Sequence, residues 1–345
     1  MKSAIFGFMR VVVVIPCFNV EDYVGDAIES ALKQTYPVAE VIAVDNNSTD
    51  GTAAVLVAYQ DRYPQRFRWL REERQNASAA RNTGWKASTA DWYQFLDADD
   101  ILHPAKTEQQ LALAREQEAL WVIGTPLYQH LDGTERALIP WEDLWQGLAH
   151  GMYAGQTSAN LYAHKLLTRV HGWDGSLPFT QDVDLAFRML QTDASYVLDR
   201  IPSCTVRDRP SGKLSQMTPV GILQQHLYLR NEMNRFLKKE RPTYWLAQQL
   251  FFQLALYRYL RMLAVHDPTL AKTLFEQYLP AGFKVQPNTE LGLPSWDAFG
   301  VNLLGVKNFA RCKNTLKKFI PTIRWQQLKR FVYPQKEPAT PSQRF

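Results

Sequence analysis

The stretches RVVVVIP (residues 10–16), EDYVGDAIESALKQTYP (21–37) and EVIAVD (40–45) decide how the first half of this chain folds. The first is short, β-branched and stopped by Pro16, as a strand buried on both faces should be. In the second, Val24, Ala27, Ile28, Ala31 and Leu32 recur at helical spacing, and Pro37 ends the run. The third is again short and apolar. A strand, a helix and a second buried strand in succession predict a parallel pair joined by a crossover helix.

The rhythm continues outward. NNSTDGT (46–52) is a polar turn able to cap a helix over about 52–60. FRWL (67–70) is a third strand, and SAARNTGWKAS (78–88) is a helix of small residues suited to close packing on a sheet. DWYQFL (91–96) is the fourth strand. Further along come a helix near 104–118, a strand at 120–128 and an Asp132–Gly133 turn. A strand at 158–164, a helix in TQDVDLAFRMLQ (180–191) and a last strand at 195–202 complete the series. The expected fold class is α/β with a mostly parallel, Rossmann-like sheet and an α-helical C-terminal extension. The expected domains are 9–215 and 216–345.

The N-terminal MKSAIFGFMRVVVVIPCF resembles a signal peptide, but Arg10 interrupts it and no small-residue cleavage site follows. Met1 and Met9 are both candidate starts. The stretch 243–264 is apolar enough to suggest a membrane span. Three Gln and two Arg interrupt it, which favours a buried helix. Cys17, Cys204 and Cys312 are far apart and in no ligand spacing, which points to a reducing compartment, expected to be the cytoplasm.

The net charge of +5 is uneven. Residues 298–345 hold ten basic residues and one acidic, leaving the other 297 residues at −4. Phe309, Cys312, Leu316, Phe319 and Ile320 keep helical spacing among lysines, and Ile323, Leu328, Phe331 and Val332 extend the pattern beyond Pro321. Such a tail either lies on the anionic inner face of the cell membrane or packs on the first domain. Without aromatic-interleaved basic motifs, nucleic acid is not an expected partner.

FLDADDILHP (95–104) places Asp97, Asp99 and Asp100 at the end of the fourth strand. Ligands of open α/β sheets bind beyond the carboxyl ends of strands. Clustered carboxylates there suit a hard divalent cation, Mg²⁺ or Mn²⁺, bound together with substrate phosphates. Taken alone, the cluster fits a solvated Asp-rich turn equally well.

The ordered set VVVVIPCFNVEDYVGDAIESALKQTYP, EVIAVDNNSTDGT, NASAARNTGWKASTADWYQFLDADD and TQDVDLAFRM resembles the family 2 glycosyltransferases of GT-A fold over roughly residues 10–210. The resemblance implies transfer of a sugar from a nucleotide diphosphate, most commonly UDP, to a hydroxyl of a carbohydrate or lipid-linked acceptor in cell-surface polysaccharide or glycolipid synthesis. It implies that Pro16, Phe18 and Asn19 line the base pocket, with Glu21 at its edge and Asp45 on the uracil. Asn76 and Arg81 correspond to polar donor-site positions, although Arg81 fits a structural ion pair as well. Asp97 and Asp99 match the DxD pair that meets the donor and the metal, with Asp100 in support. Asp182 takes the place of the base of an inverting enzyme, and Gln181 stands where relatives carry Glu. Near 204–216, where many relatives have a His, this chain offers Arg207, Arg209 and Lys213 as phosphate contacts. The rival readings are a sugar-nucleotide pyrophosphorylase, which would want a Gly-rich loop after the first strand, and a nucleotide-sugar-binding regulator without catalysis.

Overall fold

A computed structural model describes residues 8–151, 156–209 and 219–319, with side chains through 313. The chain divides into two compact units, Met1–Gln216 and Met217–Phe345.

The strands of the first unit are β1 (Val11–Cys17), β2 (Glu40–Asp45), β3 (Phe67–Arg71), β4 (Trp92–Phe95), β5 (Ile101–Leu102), β6 (Trp121–Gln129), β7 (Glu135–Ala137), β8 (Leu161–Ala163) and β9 (Tyr196–Arg207). Its helices are α1 (Val24–Leu32), α2 (Thr52–Arg62), α3 (Ala77–Lys86), α4 (Lys106–Glu116), α5 (Leu144–His150), α6 (His164–Arg169) and α7 (Gln181–Leu190). All nine strands join one sheet in the order β3-β2-β1-β4-β8-β6-β9-β5, with β7 on β6.

The first four strands pair in parallel, as the sequence predicts. The second half is mixed. β8 runs antiparallel to both β4 and β6, β6 and β9 are parallel, and β5 is antiparallel to β9. The Asp132–Gly133 turn joins the antiparallel pair β6–β7, with Gly133 at a φ of 81° that favours glycine.

Five consecutive residues, Val11 to Ile15, are wholly buried, because helices cover both faces of β1. Val11, Val13 and Ile15 pack with the apolar face of α1. On the other face α3 lies close: a Cβ added at Gly84 would stand 2.5 Å from Val14 Cγ1. The small residues of α3 thus allow the close approach that the sequence suggests.

One buried feature had no sequence signal. Lys106 is fully buried in the first turn of α4, where its Nζ donates to Gln94 Oε1 and to Gln110 Oε1 at 2.6 Å. Burial lowers its pKa to about 8. Gln110 passes the network on to Asp199, 3.0 Å away.

The second unit contains α8 (Pro219–Glu240), α9 (Pro242–His266), α10 (Pro268–Tyr278) and α11 (Ser295–Phe319), the last broken at Gly305. The doubtful apolar stretch at 243–264 is α9, whose Phe252, Leu256, Leu260 and Leu263 are buried. Among the described residues no helix is long and apolar enough to cross a membrane. Ile323, Leu328, Phe331 and Val332 of the expected tail helix, and Lys213, lie outside the described residues.

Candidate active site

The site lies at the carboxyl ends of β1, β2 and β4. The loop after β1 is locked to the loop after β2. Asn19, at φ 50°, accepts on Oδ1 from Thr49 N at 2.8 Å, and Glu21 Oε2 accepts from Gly51 N at 2.7 Å. These two expected nucleotide contacts therefore spend side-chain acceptors on bracing the pocket wall. Pro16 is half-buried and Phe18 exposed beside that wall. Asp45, buried at the end of β2, accepts from Ser48 N at 3.2 Å.

Asn46 ties this wall to the next element. Its side chain donates to the carbonyls of Glu72 and Arg74, both at 2.8 Å, and accepts from Asn76 N at 2.8 Å. Asn76 caps α3 through Ala79 N and also donates to the carbonyl of Leu177 at 3.1 Å. The position expected to bind donor is thus a helix cap and a strut to the segment before α7.

Arg81 is the hub. It is buried on α3 with its guanidinium 4.4 Å from the centre of the Trp173 ring. Nη2 donates to Asp97 Oδ1 at 2.7 Å and Nη1 to Gln181 Oε1 at 3.3 Å. One side chain therefore joins the turn after β4 to the start of α7. Among the described residues its buried Nε has no hydrogen-bond partner.

Asp182 is half-buried in the first turn of α7, and Oδ1 accepts from Val183 N at 2.9 Å. Burial raises its pKa above the usual carboxylate value, although the Val183 N–H and Arg81 pull it back. Asp184, two residues on, is structural: it pairs with Arg188 at 2.6 Å, one turn along α7. Thr180 stands at the N-cap position with φ 54° but makes no capping bond through its side chain, and among the described residues its buried Oγ1 has no hydrogen-bond partner.

The three aspartates after β4 have different surroundings. Asp97 faces Arg81. Asp99 Oδ2 stands 2.8 Å from Arg209 Nε, close enough for ionic attraction although that N–H is not aligned on an acceptor. Asp100 is buried, accepts from Ser158 Oγ at 2.6 Å and from Arg207 N at 3.4 Å, and has its pKa raised by burial and by the charges of Asp97 and Asp99. Ser158 also accepts from Asp97 N at 3.1 Å. Arg207 donates to the carbonyl of Asp99 at 2.5 Å and to Asp26 Oδ2 at 2.7 Å. The pairing of β5 with β9 explains this meeting, because it brings the end of β9 alongside the aspartate turn.

Cations stand beside these carboxylates: Arg81 at Asp97, Arg209 at Asp99, and Arg207 at the Asp99 carbonyl. Asp97 and Asp99 offer the hard oxygens that a divalent cation takes. Among the described residues, however, no group of three His, Cys, Asp or Glu could hold a metal. A cation fits here only if diphosphate oxygens and water complete its shell, as Mg²⁺ sites commonly allow. Ser158, Trp173 and Asp26 escaped the sequence reading because nothing local distinguishes them.

The nine-stranded sheet in this order is of the GT-A fold. Two solved structures share it. S. aureus TarS 1–349 in complex with UDP-GlcNAc superposes with a TM-score of 0.55 at 14% identity, covering 91% of this chain and 93% of that one. The mannosyltransferase PcManGT from Pyrobaculum calidifontis, in complex with GDP-Man and Mn²⁺, gives 0.53 at 16% identity, covering 90% and 88%. At such identities the likeness concerns the fold.

Residues 12–169, somewhat under half of the chain, match the family described as Glycosyl transferase family 2. An uncharacterized glycosyltransferase of Rickettsia bellii is 29% identical over 201 residues, 53% of this chain and 28% of that protein. The matches to the first three curated relatives span 28%, 59% and 63% of their lengths.

Proposed function

We propose that the first unit transfers a sugar from a nucleotide-diphosphate donor to an acceptor hydroxyl, with inversion and with Asp182 as base. The observation that carries this reading is Arg81, which ties Asp97 to Gln181, the residue before Asp182. One guanidinium thus fixes the donor-side turn relative to the base.

In the proposed reaction the acceptor oxygen attacks the anomeric carbon as its proton passes to the Asp182 carboxylate. The bond from the anomeric carbon to the diphosphate breaks, and its electron pair leaves with the diphosphate. Arg81, Arg207 and Arg209 stand where that negative charge would develop. A bound Mg²⁺ or Mn²⁺ held by Asp97 and Asp99 would add charge stabilisation there. A carboxylate whose pKa is raised by burial is a stronger base than a solvated one. Pro16, Phe18 and Asp45 are assigned to the nucleotide base, and UDP is the proposed carrier. The proposed acceptor is a carbohydrate or lipid-linked glycan in cell-surface polysaccharide or glycolipid synthesis, reached by peripheral contact with the membrane.

The test is hydrolysis and transfer with UDP-, GDP- and dTDP-sugars, with and without Mn²⁺, in wild type and Asp182→Asn. Turnover with one donor, abolished in Asp182→Asn while donor binding persists, is expected. Binding without turnover in wild type would make the protein a nucleotide-sugar sensor instead. An active Asn variant would remove Asp182 from the role of base.

A further inference from the structure

Within the second unit, α11 carries an apolar row that its own fold leaves uncovered. Trp296, Phe299 and Leu303 recur at i, i+3 and i+7, and are 43%, 69% and 67% exposed. Ala298 and Val301 of the same helix are buried, so the helix packs with one face and presents the other. Gly305, at φ 74° and ψ 160°, then breaks the helix.

Beyond the break the apolar residues turn inward. Phe309 packs its ring over Gly300, where an added Cβ would collide with it, and lies 6.2 Å from the Trp296 ring. Ala310 is buried. Lys313 reaches Asp297, which is wholly buried and also accepts from Tyr257. The row that the sequence assigns to a membrane or to packing therefore begins as packing. The exposed apolar row lies one stretch upstream.

Cations gather at the break that ends it. A cavity of about 280 Å³ is lined by Phe275, Phe283 and Leu304, with Lys272, Lys284 and Lys307 in its wall. Glu276, the acidic residue of that wall, pairs with Lys272 at 3.5 Å. Lys284 and Lys307 have no ion pair among the described residues. From Gly300 to Gln335 the sequence carries eight Lys or Arg and no Asp or Glu.

We propose that this face of the second unit seats on an anionic lipid surface, with Phe299, Leu303 and Leu304 entering the headgroup layer and Lys284 and Lys307 meeting the lipid phosphates. Large exposed apolar side chains beside unpaired cations suit such a surface, because burial of the first and charge attraction of the second add together. The inference draws its purpose from the membrane-linked acceptor proposed above, but its measurement is independent of transfer.

The experiment floats the full chain with vesicles of phosphatidylcholine alone or of phosphatidylcholine and phosphatidylglycerol in equal parts. Binding at least tenfold stronger to the anionic vesicles is expected. It should fall steeply near 1 M salt, where the screening length shrinks to about 3 Å. The pairs Phe299→Ser with Leu303→Ser, and Lys284→Gln with Lys307→Gln, should each weaken binding about tenfold or more with melting temperature and donor turnover in solution unchanged. No preference for anionic vesicles, or undiminished binding by both double variants, would overturn the proposal. So would a concentration-dependent dimer abolished by the Phe299/Leu303 pair, which would make a second copy the occupant. Absence of donor turnover alongside normal vesicle binding would instead refute the transferase reading.

Discussion

At the scale of single residues, Gln181 is the most informative departure from the resemblance. A Glu in its place would put a second carboxylate beside Arg81 and next to Asp182. The neutral amide still accepts from Arg81 but leaves that charge to Asp97. The pH dependence of transfer follows from Asp182. Its carboxyl must be ionised to accept a proton, and burial raises its pKa. Activity should therefore fall with decreasing pH through a midpoint above the ordinary Asp value of about 3.9. Gln181→Glu should move that midpoint to higher pH, because a neighbouring negative charge disfavours ionisation. A pH profile of kcat for the two proteins checks this, and a midpoint that stays put would detach the acid limb from Asp182. The sequence named Asp182, Asp97 and Arg81. It left Arg81 open between donor contact and ion pair, and the structure shows the ion pair without testing the donor contact.

At the scale of elements, the first three strands, α1 and α3 were legible because their residues carry a local period. β1 opens on five consecutive Val and Ile residues, and α1 repeats its apolar positions every turn. The β8–β5 half of the sheet was less legible. β8 and β5 have three and two residues, too short for a pattern, and their pairing depends on partners far away in sequence. The packing of α3 on β1 is the element-scale contact most open to test. Gly84→Val should destabilise the protein by about 1–3 kcal/mol, since the added atoms meet Val14 and Val44 in a close-packed interior. The urea midpoint would report it, and an unchanged midpoint would mean that α3 can lift from the sheet without cost.

At the scale of the whole molecule, the three cysteines offer a simple check. Cys17 and Cys204 are buried, and burial pushes both thiols up from their usual pKa; Cys312 is exposed. A thiolate is the reactive form, so native protein should label about one thiol rapidly and all three after unfolding. Rapid labelling of two or more in the native state would contradict the packing of β1 or β9.

The sequence by itself determined the parallel first half of the sheet, the place of the aspartate turn at the end of β4, and the start of α7. These are local facts, fixed by hydrophobic period, by Pro and by polar runs. The tertiary structure alone decided what the charges do. Arg209 lies by Asp99 and Arg207 by Asp26 because β9 returns to pair with β5, a contact between residues about a hundred positions apart. It also decided that Phe309 faces inward and Phe299 outward, since helical spacing defines an apolar row but not which neighbour covers it. Long-range pairing depends on the whole chain at once, and no local window of sequence contains it.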